Sequence, residues 1–220
     1  QKMTNDPIKK AIVSVFDKSH LNLLAEYFIN FRVEVLSTGG TSKFLKNYSP
    51  KIKVIDISDF TKFNEILDGR VKSLHPMIHS GILAKKNDVK HQKEMKKLNI
   101  PNIDLVVVNL YPFEKISDDA NSSNKKCIEN IDIGGPTLIR GAAKNYENVT
   151  ILTDPDQYKV FLKEIDKNGN STSKSFRKKC AKIAFENTAY YDAKISRWFN
   201  KDQKTFLEKK GSIPLKKILD

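Results

Sequence analysis

The sequence is poor in cysteine and contains no long apolar run. Its 220 residues include only two cysteines, Cys127 and Cys180, which lie far apart and have no neighbours at ligand spacing. We therefore expect two free thiols in a reducing compartment, and neither a disulfide nor a zinc site. No apolar run approaches the roughly 20 residues that a membrane span needs, and the N-terminus lacks the apolar stretch of a secretory signal. These absences predict a cytoplasmic protein without a membrane partner.

Acidic residues are scarce relative to basic ones. The chain has 39 Lys and Arg residues against 26 Asp and Glu residues, which gives a formal net charge of +13. Such a charge is typical either of a nucleic-acid-binding face or of a lysine-rich solvated surface that reserves a few cations for a small anion. The lysines are dispersed over different segments and do not alternate with aromatic residues, as a stacking platform for bases requires. The pattern therefore predicts no nucleic-acid partner.

Short apolar runs alternate with helical periodicity along the chain. Residues 11–16 form a β-branched apolar run that predicts a buried strand. The apolar residues that follow recur at helical spacing, and Asp17 or Ser19 can cap the start of that helix. Residues 103–111 form the most apolar run and predict a central strand. The succession of strands and helices with short connections predicts an α/β fold, with a mainly parallel sheet and helices on both faces.

A glycine pair follows the second predicted strand, in the segment LSTGGTSKF. Gly39 and Gly40 allow the backbone to approach a ligand, and a helix predicted to begin at Thr41 offers unpaired N–H groups and the positive end of its dipole. Thr38 and Thr41 add hydroxyl groups. The segment predicts a phosphate cradle, although a plain strand-to-helix turn capped by Thr41 has the same pattern. It matches neither the P-loop nor the dinucleotide-binding fingerprint.

A second candidate segment, LDGRVKSLHP, carries two cations. Arg70 and Lys72 alternate around one residue, so in an extended chain both side chains point to the same side. This arrangement suits a phosphate clamp or an oxyanion partner, and an exposed basic loop is the equal alternative. His75 and His79 are four residues apart, as in some metal sites. No Glu lies between them in a metalloprotease pattern and Pro76 disturbs a helix, so no metal is expected here.

The third candidate segment, ENIDIGGPTLIRGAAKN, combines an acid, a glycine pair and two cations. Asp132 precedes Gly134 and Gly135 at the predicted start of a helix, which is a second anion-binding helix start. Arg140 and Lys144 then lie on one helical face. The alternatives are a helix-capping role for Asp132 and a solvated helix end for Lys144.

Several of these residues are predicted to meet at one edge of the sheet. Tyr111 ends the most apolar strand, and Ser14 and Lys18 stand at the end of the first strand. In open α/β sheets, ligands bind at the carboxyl ends of the strands, where Thr38 is also expected. The alternative for Tyr111 is a tyrosine at the edge of the core with a solvated hydroxyl.

The motifs together resemble a known enzyme family. The segments VSVFDKSHL, LSTGGTSKFL, LDGRVKSLHPMIHSGILA, IDLVVVNLYPF and ENIDIGGPTLIRGAAKN are similar, in this order, to the cyclohydrolase half of the AICAR transformylase/IMP cyclohydrolase family, over about residues 9–200. The resemblance implies a methylglyoxal-synthase-like fold, a homodimer, and no metal or organic cofactor. The implied phosphate-binding and substrate-binding residues are Ser14, Lys18, Thr38, Gly39, Gly40, Thr41, Arg70 and Ser73. The implied catalytic residues are Lys72, Tyr111, Asp132 and Lys144, supported by Gly134 and Gly135.

The resemblance also implies a reaction and a domain organisation. The expected activity closes 5-formamido-imidazole-4-carboxamide ribotide, a small-molecule purine ribotide, to inosinate with loss of water, the last step of de novo purine synthesis. Residues 1–200 are expected to form this domain and residues 201–220 a tail towards a transformylase domain. The run that usually opens that domain, Arg-Tyr-Gly-Glu-Asn-Pro, does not occur before Asp220, so this chain is not expected to transfer formyl groups.

Other functions are compatible with the same fold. A phosphate lyase of the methylglyoxal-synthase kind would act on a triose phosphate, and a regulatory module would bind an anion without chemistry. The combination of Lys72, Tyr111, Asp132 and Lys144 disfavours both, because neither function needs these four residues together. Two positions depart from the family pattern. Ser73 stands where many relatives carry threonine, which is a mild change. Phe16 stands where relatives often carry a small polar residue, so Phe16 is not expected to be a site residue.

Overall fold

The structure, a computed structural model, describes residues 6–201 and residues 213 and 215. The described residues form five strands and ten helices. The strands are β1 (Lys10–Val15), β2 (Glu34–Ser37), β3 (Val54–Asp56), β4 (Leu105–Asn109) and β5 (Thr150–Leu152). The helices are α1 (Leu21–Asn30), α2 (Gly39–Tyr48), α3 (Ile57–Thr61), α4 (Pro76–Leu83), α5 (Val89–Lys97), α6 (Phe113–Ser117), α7 (Asn124–Glu129), α8 (Gly134–Lys144), α9 (Gln157–Asn168) and α10 (Lys174–Phe199).

The strands form one sheet in the order β3-β2-β1-β4-β5, and every neighbouring pair is parallel. In the central strand β1, Ala11, Ile12 and Val13 are all completely buried. Consecutive buried positions are typical of a parallel strand that is covered on both faces. Val15 at the end of β1 lies in register with Asn109 at the end of β4. The carboxyl ends of the strands therefore meet at one edge, and the predicted parallel sheet is confirmed.

Two groups of helices cover the sheet. One comprises α1, α2 and α9, while α4 and α10 both pack against α8 in the other. The buried face of α8 consists of residues at helical spacing, namely Leu138, Ile139, Ala142 and Ala143. Each large aliphatic side chain buried in this way contributes about 1.5–3 kcal/mol to folding. The α/β fold with helices on both faces is thus as predicted, and α8 runs away from the carboxyl edge of the sheet.

Two helices begin at residues other than those predicted. The residue before α1 is His20 and not Asp17 or Ser19, because Asp17 uses its carboxylate to accept a hydrogen bond from the Ser19 N–H within the preceding loop (2.8 Å). Helix α2 begins at Gly39 and not at Thr41. Both glycines of the pair therefore belong to the first turn of the helix.

The segment after β3 contains more helix than its irregular sequence indicates. Pro76 does not disturb a helix but begins α4, since a proline at the first helical position needs no N–H partner. The ring nitrogen Nδ1 of His75 accepts a hydrogen bond from the Met77 N–H at 3.2 Å and caps this helix. Helices α3, α6 and α7, each of six residues or fewer, were not predicted either.

The predicted C-terminal tail, residues 201–220, lies almost entirely outside the described residues. None of the helices in the described part of the chain combines the length and the apolar character that crossing a membrane requires.

Candidate functional site

A cavity of about 770 Å³ opens at the carboxyl edge of the sheet. Thirteen of the fourteen predicted site residues line it, which confirms that widely separated segments meet there. They are Ser14, Lys18, Thr38, Gly39, Gly40, Thr41, Arg70, Lys72, Ser73, Tyr111, Asp132, Gly134 and Gly135. The parallel sheet explains this convergence, because β1, β2 and β4 all end at this edge.

One end of the cavity is formed by the first turn of α2 and two ammonium groups. Gly39 has a φ of +54°, a left-handed conformation that glycine adopts without strain. A methyl group added to Gly39 would lie 3.5 Å from Lys72 Nζ, and one added to Gly40 would lie 3.7 Å from Lys18 Nζ. Because the first N–H groups of a helix have no partner inside it, this turn and the two cations together offer an anion site.

The two threonines beside the glycine pair have different roles. Thr41 is buried, and its hydroxyl both accepts from the Val15 N–H and donates to the Val15 carbonyl, each at 3.1 Å. These bonds join α2 to β1, so the Thr41 hydroxyl is used within the fold and does not serve as the predicted ligand donor. Thr38 precedes α2 in an extended conformation and makes no side-chain hydrogen bond to the helix. Of the two, Thr38 is the hydroxyl left for a ligand.

Arg70 and Lys72 both reach the cavity, as predicted, and each is paired with a carboxylate. Arg70 binds Glu129 of α7 through two guanidinium nitrogens, at 2.5 and 3.3 Å. Lys72 Nζ lies 2.7 Å from a carboxylate oxygen of Glu65. All four side chains are exposed or half-exposed. Ion pairs of this kind are weak in water, so an incoming anion can exchange with either carboxylate at small cost.

Asp132 lines another part of the cavity wall, just before the start of α8. One carboxylate oxygen accepts a hydrogen bond from the Gly135 N–H at 2.9 Å. Burial raises the pKa of the Asp132 carboxyl above its ordinary value, while hydrogen bonds from the N–H groups of Gly135 and Gly134 act in the opposite direction. A carboxylate that is more basic than usual is suited to accept a proton from a substrate.

The glycine pair of α8 is required by close packing. A methyl group on Gly135 would lie 2.4 Å from a methyl carbon of Leu110 and 2.5 Å from the second carboxylate oxygen of Asp132. A methyl group on Gly134 would lie 2.9 Å from the hydroxyl oxygen of Ser73. Both distances at Gly135 are shorter than real carbon contacts, so a side chain at this position would force Leu110 or Asp132 to move.

These contacts close a ring around the cavity. Lys18 and Lys72 flank the glycine pair of α2. Ser73, the residue after Lys72, contacts Gly134 through its hydroxyl. The ring then passes along α8 to Gly135, which packs on the residue before Tyr111. Phe16 completes it. Its ring contacts that of Tyr111 at a centroid distance of 4.3 Å, and its carbonyl accepts a hydrogen bond from Lys18 Nζ at 3.3 Å. The anion site and the acid therefore share one enclosure.

Lys144 is the predicted site residue that the structure does not bring to this cavity. It is the last residue of α8, is exposed, and lies ten residues beyond Gly134. A helix rises 1.5 Å per residue, which separates the two ends by roughly 15 Å. Arg140, on the same helix, instead lies over the ring of Phe185 in α10, at 5.5 Å from its centroid. Within one chain, Lys144 therefore cannot act together with Asp132 and Tyr111.

Comparisons with known proteins identify the family of this chain. The family model described as the MGS-like domain matches residues 20–137, which is more than half of the chain and includes most of the cavity wall. The chain belongs to the MGS-like domain family. A second model, described as the AICARFT/IMPCHase bienzyme, matches residues 142–219.

Two curated relatives of this MGS-like chain carry the same description. The chain is 50% identical over 191 residues to the bifunctional purine biosynthesis protein PurH of Caldicellulosiruptor saccharolyticus, covering 87% of the chain and 37% of the relative. It is 46% identical over 194 residues to PurH of Lactobacillus acidophilus, covering 88% of the chain and 37% of the relative. These matches confirm the resemblance seen in the sequence motifs. The chain spans somewhat over a third of the length of these relatives.

A solved structure, the crystal structure of ForH, is similar throughout its length. It superposes with a TM-score of 0.75 at 32% sequence identity, covering 88% of this chain and all of the other. The methylglyoxal-synthase-like fold is thus shared with ForH over the whole of the ForH chain.

Two residues of this MGS-like site, Glu129 and Asn109, escaped the sequence analysis, and a third, Phe16, was not expected to be a site residue but lines the cavity. Glu129 holds Arg70, and Phe16 contacts Tyr111. The side chain of Asn109 accepts from the Asp17 N–H at 2.8 Å and donates to the Asp17 carbonyl at 2.9 Å, which holds the loop after β1 in place. Asn109 could have been found, because it is the first polar residue after a fully apolar strand and stands at the carboxyl edge.

The charges that line the cavity are balanced. Lys18, Arg70 and Lys72 provide three cations, and acidic side chains provide three anions, which are Asp68, Glu129 and Asp132. The net charge of +13 is therefore not concentrated in the site. Among the described residues, no three His, Cys, Asp or Glu side chains lie close enough together to hold a metal ion.

Proposed function

We propose that this chain is an IMP cyclohydrolase, which closes 5-formamido-imidazole-4-carboxamide ribotide to inosinate and water. The observation that carries the proposal is the closed ring of contacts, which joins the helix start beside Lys18 to the half-buried Asp132 by way of Lys72 and Ser73. A ribotide needs these two features in one enclosure, because its phosphate and its reacting atoms are at opposite ends of the molecule. The names of the curated relatives, which refer to purine biosynthesis, support the same assignment.

The first turn of α2 binds the 5'-phosphate in this proposal. The N–H groups of Gly39 and Gly40, the Thr38 hydroxyl and the Lys18 ammonium donate to phosphate oxygens. Arg70 joins them after releasing Glu129. Binding energy gained at this remote end holds the formyl group against the carboxamide, which is the geometry the reaction needs.

Ring closure then takes place beside Asp132. The carboxamide nitrogen attacks the formyl carbon, a carbon–nitrogen bond forms, and the Asp132 carboxylate takes a proton from that nitrogen. Its raised pKa makes it a better proton acceptor than an exposed aspartate. The formyl oxygen becomes an oxyanion, which the Lys72 ammonium and the N–H groups at the start of α8 stabilise.

Dehydration completes the reaction. Tyr111 donates a proton towards the oxyanion, the carbon–oxygen bond breaks, and the oxygen leaves as water with a second proton that Asp132 returns. The remaining nitrogen of the former formamide loses its proton as the new double bond forms, which restores the proton of Tyr111. All atoms of the ribotide are thereby accounted for as inosinate and one water molecule.

An absorbance assay for inosinate tests the proposal directly. The purified chain, without added metal, should convert the formylated ribotide to inosinate, and Lys72→Ala should lower the rate at least tenfold, which corresponds to about 1.4 kcal/mol on the barrier. A parallel assay with a triose phosphate tests the lyase alternative of the same fold. Turnover of the triose phosphate in place of the ribotide would overturn the proposal.

We also propose that the chain acts as a homodimer in which Lys144 of one subunit serves the site of the other. The position of Lys144 at the far end of α8 supports this arrangement, because a role beside Asp132 then requires a second copy. Lys144 would share proton transfer to the leaving oxygen with Tyr111.

Mixed dimers test this arrangement. Asp132→Asn and Lys144→Ala should each abolish most activity alone. After the two variants are unfolded and refolded together, half of the dimers are hybrids, and each hybrid has one intact site, so activity should return to roughly a quarter of wild type. A mixture as inactive as its components would remove Lys144 from the composite site.

A further inference from the structure

Phe16 is an exposed phenyl ring in a position where the fold does not need one. Its side chain is 50% exposed, whereas the preceding Val15 is 5% exposed and belongs to the main core. The ring lines the cavity together with Tyr111. Hydration of the exposed part of this apolar ring is unfavourable, so a ligand that covers the ring gains free energy.

The ring has one fixed neighbour. The planes of Phe16 and Tyr111 cross at 86°, with the centroids 4.3 Å apart, which is an edge-to-face pair. Pairs of this kind are favoured by the charge distribution of the rings and restrict the rotation of both. The part of Phe16 that remains exposed therefore keeps a defined orientation towards the cavity.

The backbone that carries Phe16 is also held on both sides. Val15 before it is bonded through its N–H and its carbonyl to the buried Thr41. Asp17 after it is bonded in the same double manner to Asn109, and the carbonyl of Phe16 itself accepts from Lys18 Nζ. A surface that is preorganised in this way binds a ligand with little loss of conformational entropy.

Phe16 lies between the two functional ends of the cavity. Its carbonyl contacts Lys18, which stands at the glycine pair of α2, and its ring contacts Tyr111, which belongs to the proposed catalytic set. A ribotide with its phosphate at α2 and its reacting groups at Asp132 must pass its base along this stretch. We propose that Phe16 packs against the planar base and thereby selects ligands that carry one, an inference that rests on the proposed function.

Binding measurements with two ligands test this role. Isothermal titration calorimetry with inosinate and with ribose 5-phosphate compares a ligand that has a base with one that has only the sugar phosphate. Phe16→Ala should weaken inosinate binding about tenfold, because base–aromatic contacts contribute on the order of 1.4 kcal/mol, and it should leave ribose 5-phosphate binding unchanged. Phe16→Leu keeps the apolar bulk but not the ring, so its affinity for inosinate should lie between those of wild type and Phe16→Ala.

The chain offers a matched control. Phe199 is 51% exposed and makes a similar edge contact with Trp198 at 4.7 Å, but it does not line the cavity. Phe199→Ala should therefore change neither affinity. Thermal melts of all variants confirm that the domain remains folded, since an alanine at position 16 keeps the backbone carbonyl that Lys18 binds.

The outcomes separate this inference from the function on which it rests. If Phe16→Ala weakens the affinities for inosinate and ribose 5-phosphate equally, the ring only supports the phosphate end. If neither affinity changes, the ring contacts neither ligand. Both results overturn the proposed role. A wild-type chain that binds ribose 5-phosphate but not inosinate would instead overturn the cyclohydrolase assignment itself.

Discussion

The hydroxyl of Tyr191 accepts a hydrogen bond from the main-chain N–H of Asp132 at 2.8 Å. Tyr191 is buried on α10 in a small second core with Phe113, Ile116 and Cys127, and it does not line the cavity. The bond connects the last long helix of the domain to the residue that we propose as the base. Tyr191 therefore acts as a positioning residue: it touches the backbone of Asp132 and not the substrate.

Replacing Tyr191 by Phe should impair catalysis more than substrate binding. The variant leaves the Asp132 N–H without a partner, which should lower the free energy of unfolding by about 1–3 kcal/mol and let Asp132 move. We expect kcat to fall about tenfold with little change in KM. Because movement admits water to the carboxylate, the acidic limb of the pH–rate profile should shift to lower pH.

The neighbouring tyrosine is the control for this prediction. Tyr190 is on the same helix and donates a hydrogen bond to Glu114 at 3.3 Å, but it does not contact Asp132. Tyr190→Phe should leave kcat and the pH profile as in wild type. If Tyr191→Phe destabilises the domain while its pH profile stays in place, the tyrosine has only a structural role.

Asp132→Asn should exchange activity for stability in a pH-dependent way. Burial raises the folded-state pKa of this carboxyl above its unfolded value, so the ionised form destabilises the fold as pH rises through the folded-state pKa. Asparagine carries no such cost. The unfolding free energy of the variant relative to wild type should therefore increase as pH rises from the unfolded-state pKa through the folded-state pKa, while turnover falls at least 100-fold.

Asp88 provides a control of opposite sign. Its carboxylate caps α5 by accepting from the N–H groups of His91 and Lys90, which holds its pKa below the ordinary value. That stability is present above the unfolded-state pKa and is lost as pH falls through the folded-state pKa. Asp88→Asn should thus lose stability relative to wild type as pH rises. Chemical denaturation at several pH values measures the unfolding free energies of both variants. If both change with pH in the same direction relative to wild type, the assigned effect of burial on Asp132 is contradicted.

Gly135→Ala should disable the site without unfolding the domain. The added methyl group would meet Leu110 and the Asp132 carboxylate at distances that force one of them to move. Because Asp132 is held mainly by hydrogen bonds, we expect it to be displaced and kcat to fall tenfold or more, roughly the cost of a misplaced catalytic group.

Gly141 on the same helix is the control, because a methyl group there meets its nearest neighbour at 3.6 Å, an ordinary contact. Gly141→Ala should keep full activity and gain about 0.5–1 kcal/mol of stability. Normal turnover in Gly135→Ala would show that the position of Asp132 is not critical.

The order of strands and helices and the convergence of the site were accessible from the sequence because they depend on local patterns. Apolar runs identify buried strands, and parallel strands bring their carboxyl ends to one edge whatever lies between them. The short helices were missed because five or six residues carry too little periodicity. The distance of Lys144 from Gly134 was also readable, since it follows from the rise of a single helix.

Contacts between distant segments could not be predicted in this way. The Tyr191 hydroxyl reaches Asp132 across 59 positions, and Asn109 reaches Asp17 across 92. No spacing rule encodes such pairs, because they depend on how the layers pack. Thr41 shows the same limit, since its hydroxyl was predicted to face a ligand but bonds to the adjacent strand, a choice that only the position of β1 decides.

Glu129→Gln should strengthen binding of the ribotide. Glu129 neutralises Arg70 in the structure, and the phosphate must take over this guanidinium if Arg70 is to bind it. Since both side chains are exposed, the pair is weak, and its removal should lower KM by roughly two- to fivefold while kcat stays unchanged.

Glu147→Gln, which removes the partner of Lys174 on a surface outside the cavity, is the matched control and should alter neither constant. The gain should also shrink as salt is added, because screening weakens the competing ion pair in the wild-type chain. A higher KM for Glu129→Gln would mean that the carboxylate holds Arg70 ready for the substrate rather than competing with it.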